Sequence, residues 1–121
     1  MSKNKLVAVY GTLKENFHNH AVLGGSEKVY QGELAGWEMY SVGAFPACIR
    51  GRGNILIEVY EVTDQAVMVG LDRLEGYHVD EPRSSMYIRE TVHVDGLNQD
   101  AYIYVWNSDV EGYPQVFNGV W

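Results

Sequence analysis

Two short segments carry residue types that could do chemistry. The first is Tyr10-Gly11-Thr12-Leu13, which closes the apolar run Leu6–Val9. A glycine and a small hydroxyl residue after a buried strand let consecutive backbone N–H groups point into a cavity. Such a nest holds carboxylate or phosphate oxygens without charged side chains. The same four residues also fit an ordinary strand-ending turn. The second segment is Leu71-Asp72-Arg73-Leu74-Glu75-Gly76-Tyr77. Its spacing puts Leu71 and Leu74 on the buried face of a helix, with Glu75 beside them where the helix ends. A carboxylate there feels the negative end of the helix dipole, which raises its pKa. A raised carboxylate suits a general base for an ammonium group. Glu75 is one of 16 acidic residues, so a solvated surface glutamate is the ordinary alternative, and Arg73 could pair with a neighbouring acid.

Other chemistries find less support. His18 and His20 form an H-x-H pair, while His78 and His93 stand apart. Zinc needs three or four converging ligands, so surface histidines are expected and no metal is assigned. Gly51-x-Gly53 lacks the third glycine of a dinucleotide fingerprint, and neither a phosphate-binding P-loop motif nor a G-x-S-x-G nucleophile elbow occurs. Cys48 is the single cysteine, which excludes an internal disulfide and reads as a buried structural residue.

These residues need elements to position them. Ile55–Val62 is the strongest strand, and Leu6–Tyr10 a short buried one. Val29–Met39, broken by Gly32 and Gly36, suggests a bent or bulged strand pair. Ala47–Ile49 is a short strand before a Gly51-Arg52-Gly53-Asn54 turn. Residues 65 to 75 form the best helix, capped by Thr63 or Asp64. Tyr87–Val94 and Ala101–Trp106 alternate as two antiparallel strands around Asp95-Gly96. Residues 14–27 and 76–85 read as loops. Many strands and one helix without βαβ alternation indicate an α+β fold on a mixed, mostly antiparallel sheet, with a barrel attractive because it removes edges.

The 121 residues fit one domain, 1–121, with 46% apolar residues to build a core. A net charge of −7 argues against a nucleic-acid partner, which needs a basic face. No apolar run is long enough for a membrane span, and Leu6–Val9 is shorter than a signal-peptide core, so the expectation is a cytoplasmic protein.

Six stretches in order resemble the γ-glutamylcyclotransferase-like family, in its γ-glutamylamine cyclotransferase and AIG2-like branch. They are Val9-Tyr10-Gly11-Thr12-Leu13-Lys14, Gly32-Glu33-Leu34-x-Gly36, Phe45-Pro46-Ala47, Glu58-Val59-Tyr60-Glu61-Val62, Leu71-Asp72-x-Leu74-Glu75-Gly76-Tyr77 and Tyr87-x-Arg89-x-x-Val92-x-Val94. The resemblance spans residues 6 to 106. It implies a mixed, mostly antiparallel β-barrel flanked by short helices, with a cavity at one end. It also implies that Tyr10, Gly11, Thr12 and Leu13 hold a glutamyl head group, that Tyr87 lines the same pocket, and that Glu75 is the catalytic acid/base. Arg89, on the face of Tyr87, is expected in the pocket or in a structural carboxylate pair. No cofactor is implied, and the partner is a small γ-glutamyl substrate. This chain departs from the family at Ile57, where a glycine is usual. From Asn107 onward it follows no family motif; Tyr113, Phe117 or Trp121 could cover the site or pin the tail to the barrel.

The activity implied is ring closure of a γ-glutamyl group to 5-oxoproline with release of an amine or amino acid. The alternatives are a non-catalytic protein that binds or sequesters a small metabolite, and an enzyme removing γ-glutamyl groups from larger compounds. Retention of both Glu75 and the Tyr10–Leu13 loop favours the enzyme.

Overall fold

The computed structural model describes residues 5–121. Its elements are β1 (Lys5–Val9), β2 (Glu27–Ser41), β3 (Pro46–Val62), α1 (Gln65–Leu74), β4 (Tyr87–Val94), β5 (Gln99–Trp106) and β6 (Gln115–Val116). Short 3-10 turns occupy His20–Leu23 and Pro82–Ser84. The strands form one sheet in the order β4-β5-β1-β3-β2-β6. Every pairing is antiparallel except β1 with β5, which is parallel. The architecture is α+β, a mixed sheet curled into a half-barrel with one short helix.

Alternation along the strands builds two cores. Ala8, Ile57, Val59, Ile103 and Val105 pack inside the curl with Trp37 and Met39. Val7, Val9, Tyr60, Val62 and Tyr104 face the other way and meet Leu23, Met68 and Leu71 of the 3-10 turn and helix. Strand β1 is thus covered on both faces, which explains its unbroken apolar run.

Two expectations are corrected. Residues 29–39 are not a strand pair but part of the single long strand β2. Gly51–Asn54 is no turn: β3 runs straight through it. The register slips instead at Trp37, which lies opposite both Arg50 and Gly53. A Cβ on Gly53 would sit 2.9 Å from the Trp37 carbonyl oxygen, so the small residue marks a bulge.

The helix forms as its sequence predicts, with Asp64 as N-cap: its carboxylate accepts from the Ala66 amide at 2.9 Å. Leu71 is fully buried, but Leu74, expected beside it, is exposed. Beyond the helix, Arg89 on β4 pairs with Asp72 of α1.

Candidate active site

The end of β1 and the end of α1 meet at a cavity of about 220 Å³. Tyr10, Gly11, Thr12, Leu13, Tyr87 and Glu75 all line it, so the residues singled out from the sequence lie around one space.

The turn after β1 is oriented by what its carbonyls bind. Gly11 O accepts from the Lys14 amide at 3.0 Å and Thr12 O from the Asn19 amide at 3.0 Å. Leu13 O meets His20 Nδ1 at 2.9 Å, which places this histidine in the scaffold. Asn19 Nδ2 also donates to Thr12 Oγ1 at 2.9 Å. The carbonyls are thereby committed to the 14–20 loop. Among the described residues no protein acceptor meets the amides of Gly11, Thr12 or Leu13. Gly11 is required by close approach, since a Cβ there would lie 2.6 Å from Pro46 Cγ.

Beneath the loop sits a polar cluster that sequence reasoning missed. Glu58 is buried, and its Oε1 accepts from the Glu15 amide at 2.9 Å and from the Tyr60 hydroxyl at 2.8 Å. Lys14 is also buried; its Nζ donates to the Trp121 carbonyl at 3.1 Å and lies 5.0 Å from the centroid of the Phe17 ring. Burial lowers the Lys14 pKa, and the charge of Glu58 partly restores it.

Glu75 is placed by the way α1 stops. Gly76 has φ +67°, a left-handed conformation suited to glycine. The Gly76 amide donates to Arg73 O at 3.2 Å and the Tyr77 amide to Asp72 O at 2.9 Å, the paired bonds of a Schellman motif. Glu75 is then the last residue before the reversal and faces the cavity. Among the described residues no hydrogen-bond donor reaches its carboxylate. Burial pushes its pKa up to about 7. The expected direction holds, with desolvation by burial as its cause.

Three tyrosines surround this carboxylate, and each has its pKa raised, first by burial and further by the charge of Glu75. They stay protonated, and their hydroxyls are engaged. Tyr10 donates to the Tyr104 carbonyl at 2.6 Å and Tyr87 to the Pro46 carbonyl at 2.6 Å. Tyr104 donates to Asp72 Oδ1 at 2.6 Å. Arg89 Nη1 lies 3.0 and 2.9 Å from the two oxygens of Asp72. Tyr87 therefore offers the cavity its ring rather than its hydroxyl. Asp72, three residues before Glu75, is neutralised by Arg89 and leaves Glu75 as the sole carboxylate lining the cavity among the described residues.

The tail takes no part in the lining. Val116 and Gln115 pair with Met39 and Tyr40 of β2, Trp121 packs against the inner core, and Phe117 is 86% exposed.

A curled mixed sheet with a carboxylate at the end of its helix and an amide-lined turn defines a class of fold before it defines a reaction. Solved structures share the fold: protein ytfP from Escherichia coli superposes with TM-score 0.74 at 25% identity, covering 96% of this chain and 95% of that one. A protein from Pyrococcus horikoshii gives 0.78 at 24% identity over 96% and 88%, and a mouse AIG2-like protein 0.71 at 22% over 98% and 88%. Residues 7–121 match the family model described as gamma-glutamyl cyclotransferase, AIG2-like. The chain belongs to this family. A Vibrio cholerae relative, itself named as a candidate gamma-glutamylcyclotransferase, is 31% identical over 117 residues, covering 96% of this chain and 94% of its own.

Proposed function

We propose that the protein closes a γ-glutamyl group into 5-oxoproline and releases the attached amine. One observation carries the reading: a carboxylate raised to about 7, with no protein donor among the described residues, shares its cavity with three backbone amides that no protein group accepts from. The amides of Gly11, Thr12 and Leu13 hold the α-carboxylate of the glutamyl group. Glu75, ionised, takes a proton from the α-ammonium. The amine then attacks the γ-carbonyl carbon of the same molecule, a step whose entropic cost is removed by folding the substrate in the cavity. A ring C–N bond forms and the original amide C–N bond breaks. Two protons leave the α-nitrogen and two arrive on the departing nitrogen, with Glu75 relaying them in turn. The product amine leaves as an ammonium, and Glu75 returns to its starting state. The ring of Tyr87 walls the cavity, and the reaction needs no cofactor. The single, buried Cys48 fits a reducing compartment such as the cytoplasm.

The test is incubation with a panel of γ-glutamyl amines and γ-glutamyl amino acids, reading 5-oxoproline by mass spectrometry. Formation from at least one member is expected. Binding without turnover across the panel replaces this reading with a metabolite-binding protein.

A further inference from the structure

Among the described residues no Lys, Arg or His lines the cavity, so an anion there is held by neutral hydrogen-bond donors alone. The polar side chains around it are few, and most are spent. Tyr10 and Tyr87 donate to backbone carbonyls and Tyr104 donates to Asp72, while Glu75, when ionised, repels an anion. Thr12 and Asn19 remain, and they are joined to each other.

Asn19 stands just before the 3-10 turn His20–Leu23, where an asparagine oxygen ordinarily accepts from an amide of the first turn. Its side chain makes no such bond. Instead the Asn19 backbone amide holds the Thr12 carbonyl at 3.0 Å, and Nδ2 donates to Thr12 Oγ1 at 2.9 Å. Both bonds orient donors. In a planar trans peptide the carbonyl and the following N–H point in opposite directions, so holding the Thr12 carbonyl against the loop turns the Leu13 amide away from it. A hydroxyl has one hydrogen to give and two lone pairs to accept with. Asn19 takes a lone pair of Thr12, and among the described residues no protein acceptor meets the hydrogen that is left.

We propose that Asn19 is a positioning residue that makes the Thr12 hydroxyl a donor to the carboxylate held at the turn, beside the backbone amides of Gly11, Thr12 and Leu13. The inference rests on the cyclotransferase reading for the presence of that carboxylate. The direction of the Asn19–Thr12 bond is what matters. An acceptor at position 19 would draw the hydroxyl hydrogen to itself and leave a lone pair facing the anion.

The experiment measures, by NMR titration, the preference of the protein for 5-oxoproline over its neutral amide, 5-oxoprolinamide. A general loosening of the cavity weakens both compounds and cancels in the ratio. Wild type should prefer the acid, and Thr12→Val should cut that preference roughly tenfold, the scale of a hydrogen bond to a charged group. Asn19→Ala should cut it about threefold, since the hydroxyl keeps its hydrogen and loses its orientation. Asn19→Asp, which can still bond Thr12, should cut it at least as far as Thr12→Val. In the Thr12→Val background Asn19→Ala should add nothing. An unchanged preference in Thr12→Val overturns the inference, as does an Asn19→Asp protein that prefers the acid as much as Asn19→Ala does. A role in holding the loop alone predicts that second result. Turnover should show the matching split. The carboxylate is bound alike before and during the reaction, so the variants should raise KM and leave kcat within about twofold. A loss confined to kcat overturns the inference. Wild type that prefers the acid but forms no 5-oxoproline from any γ-glutamyl compound removes the cyclotransferase reading, and the titrations still decide the role of Asn19. Wild type that turns substrate over without preferring the acid overturns the inference and spares the reading. Thr12→Ala repeats the measurement should Thr12→Val fail to fold.

Discussion

Two glutamates lie on either side of the segment that follows β1, and they have been treated in opposite ways. Glu58 is given the Glu15 amide, the Tyr60 hydroxyl and the neighbouring charge of Lys14. Glu75 is given a cavity and no donor among the described residues, and burial alone lifts its pKa to about 7. Both acids are drawn out of water, and the compensation differs. An acid whose oxygens are satisfied holds structure, because removing it strands the groups that pointed at it. An acid left uncompensated destabilises the fold slightly and is ready to take a proton. The contrast places Glu58 in the support of the loop and favours the proposal that Glu75 serves the reaction. It also argues against Glu58 as the base, since its Oε1 already accepts from the Glu15 amide and the Tyr60 hydroxyl.

The largest effect expected from this contrast is chemical. Glu75→Gln keeps size and shape but cannot accept the ammonium proton, so 5-oxoproline formation should drop by about 10²–10⁴-fold. Far-UV circular dichroism should be unchanged. A variant that matches wild-type turnover removes Glu75 from the mechanism. In the wild type, kcat/KM should rise with pH through about 7 as Glu75 ionises in the unliganded protein. Glu58→Ala should leave that midpoint in place.

The effect of Glu58→Ala should appear in stability instead. It takes the acceptor from the Glu15 amide and the Tyr60 hydroxyl and leaves Lys14 without the charge that offsets its burial, a loss of about 2 kcal/mol by urea unfolding. Turnover should weaken mainly through KM, as the amide turn loosens. A loss of kcat with stability intact would reverse the assignment of the two acids.

How much of this was legible beforehand depends on whether the signal was local. The position of Glu75 was legible because Leu-Glu-Gly is a helix stop, and the stop itself aims the side chain; its role was implied only by the family resemblance. The turn at Gly11 was legible for the same reason, as a glycine closing an apolar run. Glu58 and Lys14 were not. A lysine in a polar loop reads as exposed, and the glutamate whose charge acts on it lies 44 residues away, in a strand where a glutamate reads as solvent-facing. Residues 51–54 misled because a glycine that makes room for the Trp37 bulge, Gly53, and one packed against the Glu38 side chain, Gly51, look like glycines that make a turn. Leu74 misled in a useful way: its helical spacing said buried, but the cavity took the place of the neighbour that would have covered it.

A smaller effect follows from the unpaired state of Glu75. Its folded-state pKa lies above the ordinary carboxylate value, so between that value and about 7 the folded chain binds more protons than the unfolded one. Stability therefore falls as pH rises through this window and levels off above it. Glu75→Gln removes the penalty. Its advantage over wild type in thermal unfolding should grow from near zero at pH 4 to about 1–2 kcal/mol at pH 8, less than full burial would give because the carboxylate opens to the cavity. An advantage that is flat with pH would mean that Glu75 is compensated like Glu58.

The smallest effect tests whether the helix carries Glu75 as a support or as a participant. Asp64 caps the far end of α1 through the Ala66 amide, ten residues before the helix ends at Leu74. Asp64→Ala removes one bond to a helix amide and should cost about 1 kcal/mol. The position of Glu75 is set by the Schellman bonds of Gly76 and Tyr77, which the substitution leaves in place. Loss of the cap should thus lower the urea midpoint while kcat and the pH midpoint near 7 stay where they were. Turnover falling in parallel with stability would mean that the carboxylate depends on the whole helix, not on its last turn. Measured beside Glu75→Gln, which should slow the reaction by about 10²–10⁴-fold while stabilising the fold at neutral pH, Asp64→Ala should move stability the other way and leave the chemistry untouched.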